Sequence, residues 1–174
     1  MKFPSLSHLG CRAGIAALAL AATVAGCSSD SGVTAPDTTG RFSALVNAGT
    51  QTSLTGAAGL ISLPAADSDS AAVPSSAVLI LQDGTSNAQL GFQWIGTSVP
   101  ATGTYPIGAG DLDVAMAFQD STGAVFDGIS GTVTVATVTK GLVGGTFSVT
   151  AQPTDSAAHN AVITGTFKAP IAVQ

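Results

Sequence analysis

A hydrolytic nucleophile needs a base beside it and an acid to orient that base, so the search for chemistry begins at histidine. Only His159 lies beyond the N-terminal 27 residues, in a polar stretch with Asp155 upstream of it. The nearest approach to a nucleophile elbow, Gly128-Ile129-Ser130-Gly131-Thr132, lacks the closing glycine. Distant segments can assemble a triad, so spacing alone leaves one open. The expected role of His159 is that of a solvated loop residue. Zinc needs several His or Cys ligands, and both cysteines, Cys11 and Cys27, fall in the first 27 residues.

Carboxylate chemistry would draw on aspartate alone, since all ten acids are Asp. Asp111/Asp113 and Asp120/Asp127 are the available pairs for glycoside hydrolysis, and nothing around them in the sequence raises a pKa. Calcium takes clustered oxygen ligands; Asp67 and Asp69, and Asp111 and Asp113, are weak candidates, and neither group matches an EF-hand loop. Aspartate as turn-former and solubiliser is the simpler expectation. Gly108-Ala-Gly-Asp-Leu-Asp113 lacks the third glycine of a dinucleotide fingerprint and reads as a turn. Trp94 shares a face with Leu90 and Phe92 and is expected in the core, whereas Tyr105 lies beside a loop where surface contact is open to it. No residue set specifies a reaction or a cofactor, and a non-enzymatic protein is expected.

Charge narrows the partners. Charged residues make up 9% of the 174, against about 25% in an ordinary domain. After residue 27 three cations, Arg41, Lys140 and Lys168, stand against ten Asp, a balance of −7. Nucleic-acid binding requires clustered Lys and Arg and is excluded. The surface must be made of Ser, Thr, Gly, Ala and Gln, a composition that favours strands over helices.

Lys2 and Arg12 precede a 12-residue apolar run, Ala13 to Val24. As a helix it would reach about 18 Å, short of a bilayer core of about 30 Å, so it reads as the core of an export signal. The run closes on Val24-Ala25-Gly26-Cys27, which resembles a bacterial lipobox. That resemblance implies cleavage after residue 26, diacylglyceryl transfer to Cys27 and an acylated amino terminus. Cys11 has no apolar run before it and does not fit the pattern. Two or more acyl chains hold stably to a membrane where one does not. Ser28 and Ser29, with no Asp after the Cys, imply by the same analogy delivery to an outer membrane where the organism has one, and otherwise to the outer face of the cell membrane.

Residues 27–40 carry almost no large apolar side chain and read as a flexible tether with an r.m.s. span of about 20 Å. From residue 41 the pattern becomes short alternating runs separated by Gly, Asn, Asp and Pro. Phe42, Ala44, Val46 and Ala48 share one face; Gly56–Leu63 is a second strand. Ala77–Gln82 is apolar on both faces and suggests a fully buried central strand, with Asp83-Gly84 turning after it. Leu90, Phe92 and Trp94, then Leu112, Val114, Met116 and Phe118, mark two more strands with one wet face. Gly131–Val138, Gly145–Ala151 and Ala161–Lys168 complete the set, and residues 64–76 read as a mobile surface loop.

Eight or nine strands at this spacing predict an antiparallel β-sandwich over residues 41–174, with a closed β-barrel as the alternative. The two-sided strand leans toward the sandwich. The ending ISGTVTV…GTFSVTA…VITGTFKAPI is similar to a family of uncharacterised bacterial lipoprotein domains, over about residues 103–171. That resemblance implies an all-β domain and membrane anchoring, and supplies no catalytic residues. The resulting expectation is a lipid-anchored envelope protein that binds or supports, with a protein or glycan partner undefined. The alternative is a carrier holding a lipid or other small apolar ligand in a barrel, in which Ala44, Ala48, Gly145 and Gly165 would either thin the core or line a cavity.

Overall fold

Alternation of apolar and polar side chains runs the length of the domain, and in the structure, a computed structural model, it becomes a single closed wall. The described residues are 39–68, 71–108, 114–155 and 159–173. They form β1 (Arg41–Asn47), β2 (Gln51–Leu63), β3 (Ala66–Ser68), β4 (Ala71–Val73), β5 (Ser76–Asp83), β6 (Gln89–Ile95), β7 (Gly103–Pro106), β8 (Ala115–Gln119), β9 (Val125–Thr139), β10 (Leu142–Pro153) and β11 (Ala161–Val173). The main sheet runs β10-β11-β1-β2-β5-β6-β8-β9-β7, and β9 also pairs with β10. That last pairing closes eight strands into a barrel and leaves β7 as an extra strand on β9, while β3 and β4 form a separate two-stranded hairpin.

The protein is therefore all-β, and of the two architectures open to the sequence it takes the barrel. The reason is visible on β5. Ala77, Leu79 and Leu81 are buried, but Val78 and Ile80 on the other face are only partly covered, so no second sheet packs over them. Ile80 lies in register between Gly59 and Gly91, and its bulk flanks two positions without side chains. The stretch 64–76, expected as an unstructured loop, instead contains the β3–β4 hairpin.

Two register shifts on the β9–β10 ladder leave Ile129 and Ala136 unpaired. Such bulges bend a strand and increase its twist, which lets β9 pair with β8 near its start, with β7 further along and with β10 along most of its length. An eight-stranded barrel has an interior just wide enough for side chains to fill. Here Leu60, Leu79, Leu90, Phe92, Val133 and Ile163 are among the fully buried residues.

The small inward residues thin the wall to admit large ones. Phe147 faces Gly165 across the β10–β11 ladder, and Gly145 faces Phe167. A Cβ on Gly165 would lie 2.5 Å from the Phe147 ring tip, and one on Gly145 would lie 3.0 Å from that of Phe167. Each phenylalanine ring thus occupies the space above the glycine opposite it in register. Phe147 also packs on Phe92, with ring centroids 5.1 Å apart.

Across β7, β9, β10, β11, β1 and β2 the outer wall is rich in hydroxyls. Thr104, Thr134, Thr146, Thr166, Ser43 and Thr55 sit in register across six strands, and Thr132, Ser148, Thr164, Leu45 and Ser53 form the neighbouring row. Thr104 and Thr134 hydrogen-bond through their hydroxyls at 3.1 Å. Apolar inside and polar outside is the reverse of a bilayer-spanning barrel, whose outer band faces lipid.

Candidate functional site

The barrel has two ends. The turns after β1, β5, β8 and β10 share one end, and the β3–β4 hairpin, the β9–β10 turn and the end of β11 share the other. At the first end lies a recess of about 360 Å³. Its floor includes Val46, Leu54, Phe118 and Phe126, and its rim carries Thr50, Thr52, Ser121 and the carboxylates Asp83 and Asp120. Phe118 and Phe126 pack together with centroids 5.5 Å apart, and both are buried, so the floor is a covered hydrophobic base.

Asp83 ends β5 and organises the turn that follows. Its Oδ1 accepts the Thr55 amide at 2.9 Å. Its Oδ2 accepts the Thr85 amide and hydroxyl and the Ser86 amide and hydroxyl, at 2.8–3.1 Å. Burial pushes this carboxyl up, and the five hydrogen bonds more than reverse it, holding Asp83 far below the ordinary carboxylate range. Asp120 does the same for the β8–β9 turn. Its Oδ1 accepts the Thr122 amide and hydroxyl and the Ala124 amide. Partial burial opposes these bonds and they prevail, so its pKa is also lowered. Both side chains are turn-builders, as the Asp-Gly and Asp-Ser-Thr-Gly signals imply, and both are permanently ionised near neutrality. A general acid needs the opposite shift, so neither suits the acid role in glycoside hydrolysis.

The other sequence candidates do not converge. Asp127 is exposed on β9. His159 and Asp155 are exposed in the β10–β11 connection at the recess end, and Ser130 is exposed on β9 opposite Thr150. No hydrogen bond joins these groups among the described residues. Asp67 lies in β3, where the backbone alone is described, and Asp69, Asp111 and Asp113 lie outside the described residues, as does Cys27. Among the described residues no three His, Cys, Asp or Glu side chains gather as metal ligands.

Trp94 is buried at 3% exposure, as its face-sharing with Leu90 and Phe92 implies. Its ring meets Tyr105 edge-on, centroids 6.1 Å apart, and its Nε1 has no hydrogen-bond partner. Tyr105 is half-buried against the core and donates its hydroxyl to the Ala101 carbonyl at 2.8 Å. It acts as a brace between β7 and its preceding loop.

A third feature has no counterpart in the sequence reading. Arg41 pairs with both Ala57 and Lys168, so β1 begins between β2 and β11. Beyond that point β2 and β11 pair directly and in parallel, Leu60–Ser62 against Ile171–Val173. Gly40 is where the chain joins the wall. A Cβ there would collide with the Ala58 carbonyl and would lie 2.5 Å from the Pro170 ring. No family model, curated protein or solved structure matches the chain.

Proposed function

We propose that this chain is a lipid-anchored protein of the cell envelope whose β-barrel serves as a non-catalytic binding or structural domain. The observation that carries this reading is Val24-Ala25-Gly26-Cys27 closing a 12-residue apolar run, with a spacer between it and the first strand at Arg41. The apolar core and the hydroxyl rows outside it fit a barrel that is held at a membrane by an anchor such as Cys27. The turn-building roles of Asp83 and Asp120 support a non-enzymatic domain. In an organism with two membranes the outer one is the proposed destination.

Metabolic labelling with an alkyne fatty acid tests the anchor. Wild type and Cys11→Ser are expected to label and to sediment with membranes. Cys27→Ser is expected to lose both properties, and labelling that persists in Cys27→Ser overturns the proposal.

The recess favours a second reading, in which the barrel carries a small ligand. Its volume falls in the range of small-molecule sites, but it opens at the rim, while Phe147 and Phe167 fill the wall positions where a deeper cavity would lie. Native mass spectrometry of the Cys27→Ser chain purified without detergent separates the two. A reproducible added mass of lipid or metabolite size supports the carrier, and a bare protein mass supports the binding or structural domain.

A further inference from the structure

Two carboxylates, Asp83 and Asp120, stand on the rim of the recess, and among the described residues no Lys, Arg or His lines it. The hydrogen bonds of their turns hold both ionised near neutrality. Asp127 and Asp155, both exposed, lie toward the same end of the barrel, so the field in the recess is negative. A concave site with apolar walls focuses such a field on whatever enters it. The free hydrogen-bonding capacity is one-sided as well. The hydroxyls of Thr85 and Ser86 both direct their protons to Asp83, so each presents the recess with an oxygen that accepts. The Ser86 oxygen already accepts the Ala88 amide and keeps one lone pair, while Thr85 keeps two. The hydrogen bonds into the Asp120 carboxylate end on Oδ1, which leaves Oδ2 for an incoming donor. Asp83 Oδ2 takes four donors already, so that residue contributes charge and little contact. The hydroxyls of Thr52 and Ser121 rotate and can accept as readily as donate. Beneath these groups the Phe118 and Phe126 rings close an apolar base.

We propose that the recess binds a small organic ammonium ion, with the protonated amine at the Asp120 rim and a short apolar group against the Phe118–Phe126 base. The proposal rests on the reading of the barrel as a binding domain and is independent of how the chain is anchored. An ammonium group is a cation with hydrogen-bond donors and no acceptor, which matches both the charge of the recess and its surplus of acceptors. A carboxylate or phosphate ligand, a fatty acid included, meets the opposite: two carboxylates repel it, and neither Thr85 nor Ser86 has a proton to give. An uncharged apolar ligand would strip water from Asp120 Oδ2 without replacing it, which is unfavourable. A metal ion fits less well, because Asp83 is already saturated with donors and no three acidic side chains gather among the described residues. A volume of about 360 Å³ lies at the small end of ligand sites and suits one ring or a short chain. A hydrogen bond to a charged group contributes about tenfold or more in affinity, and solvent at the rim reduces that to about fivefold.

The test compares three probes that share one ring and differ in charge: benzylammonium, benzyl alcohol and benzoate. Each is titrated into the full chain carrying Cys27→Ser, without detergent, and the amide resonances are followed by two-dimensional NMR. Benzylammonium is expected to shift the amides of Thr85, Ser86 and Ser121 saturably, while the amide of Lys140, in the turn at the opposite end, stays in place. Its Kd is expected to lie about fivefold or more below that of benzyl alcohol, and benzoate is expected to leave the recess amides unchanged. Ser121→Lys, at an exposed turn position, should weaken benzylammonium about fivefold or more. High salt should narrow the gap between benzylammonium and benzyl alcohol. Asp120→Asn should weaken benzylammonium similarly, with unchanged amide positions outside the β8–β9 turn showing that the fold persists. Equal affinities for the three probes, or a stronger response to benzoate, overturn the ammonium site and keep a binding recess. No shift of the recess amides with any probe up to about 10 mM overturns the ammonium site and the small-ligand reading together. A benzylammonium response confined to amides outside the recess, or one unchanged by Ser121→Lys, also overturns the site.

Discussion

Four glycines in the barrel wall are expected to respond in opposite directions to the same added methyl group. Replacing glycine by alanine removes conformational freedom from the unfolded chain and stabilises by about 0.4–1 kcal/mol where the native site has room. Gly59 and Gly91 have nothing within 4 Å of an added Cβ, so Gly59→Ala and Gly91→Ala should each gain about that much. At Gly165 the Cβ would stand 2.5 Å from both the Phe147 ring tip and the Ser43 carbonyl oxygen, and 3.0 Å from the Ala44 Cα. The ring can swing, but the carbonyl belongs to β1 and moves only with its strand. Overpacking of this kind costs about 1–3 kcal/mol, which outweighs the entropic gain. In a domain of this size that is a fall in Tm of about 3–5 °C per kcal/mol. Gly145→Ala should cost at least as much, because its Cβ would run into the Thr134 carbonyl. Phe147→Leu should recover only part of the Gly165→Ala loss, since it clears the ring and leaves Ser43 in place. Urea unfolding followed by circular dichroism, in a Cys27→Ser background, reads all of these. If Gly165→Ala is as stable as wild type, or if the four alanines shift stability in the same direction, the claim that the rings fill the glycine notches is wrong.

The remaining predictions concern the turns and the core. Asp83→Ala removes the acceptor of five hydrogen bonds, leaves the Thr55 amide short of a partner, and should cost about 2–4 kcal/mol in denaturant unfolding. Because the folded carboxyl of Asp83 is held below its unfolded value, its contribution is present above about pH 4 and is lost as pH falls through the folded pKa. Asp83→Asn should therefore flatten the acid limb of the stability profile below about pH 4 and leave the slope at pH 5–8 unchanged. Trp94→Phe discards a buried donor that has no partner, and should cost less than about 2 kcal/mol in the same assay, well short of a truncation to alanine.

Much of the wall was legible residue by residue. Phe42, Ala44 and Val46, then Leu90, Phe92 and Trp94, then Phe147 and Val149 all face inward as their alternation implies. Strand ends were less legible. β2 begins at Gln51, five residues before the apolar pattern starts, because its early residues are held by pairing with β1 and only Leu54 among them is buried. β7 has no alternation to announce it and exists through its ladder with β9. Closure, the alternative to the sandwich, was undecided for a related reason. It depends on β9 pairing with β8, β7 and β10 through two bulges, and a bulge is a change of register that composition does not encode. The aspartate turns were readable from Asp83-Gly84 and Asp120-Ser-Thr-Gly123. That the two turns share one recess follows only from the closed ring.

The scarcity of charge and the hydroxyl wall belong to one physical solution. Exposed strand faces in register stabilise each other through cross-strand pairs, and like charges directly opposite are unfavourable. Threonine and serine escape that penalty, since any two hydroxyls can hydrogen-bond, and threonine also favours the extended backbone. A barrel built this way needs few ionic groups for its fold, as the outer rows from Thr104 to Thr55 show. The charges it does carry are then informative by position. Asp83 and Asp120 are accounted for by the turns they hold together. Arg41 and Lys168 oppose each other at the start of β1, on the face where Ser43 and Thr166 pair two residues further along, and mark the point where the chain joins the wall.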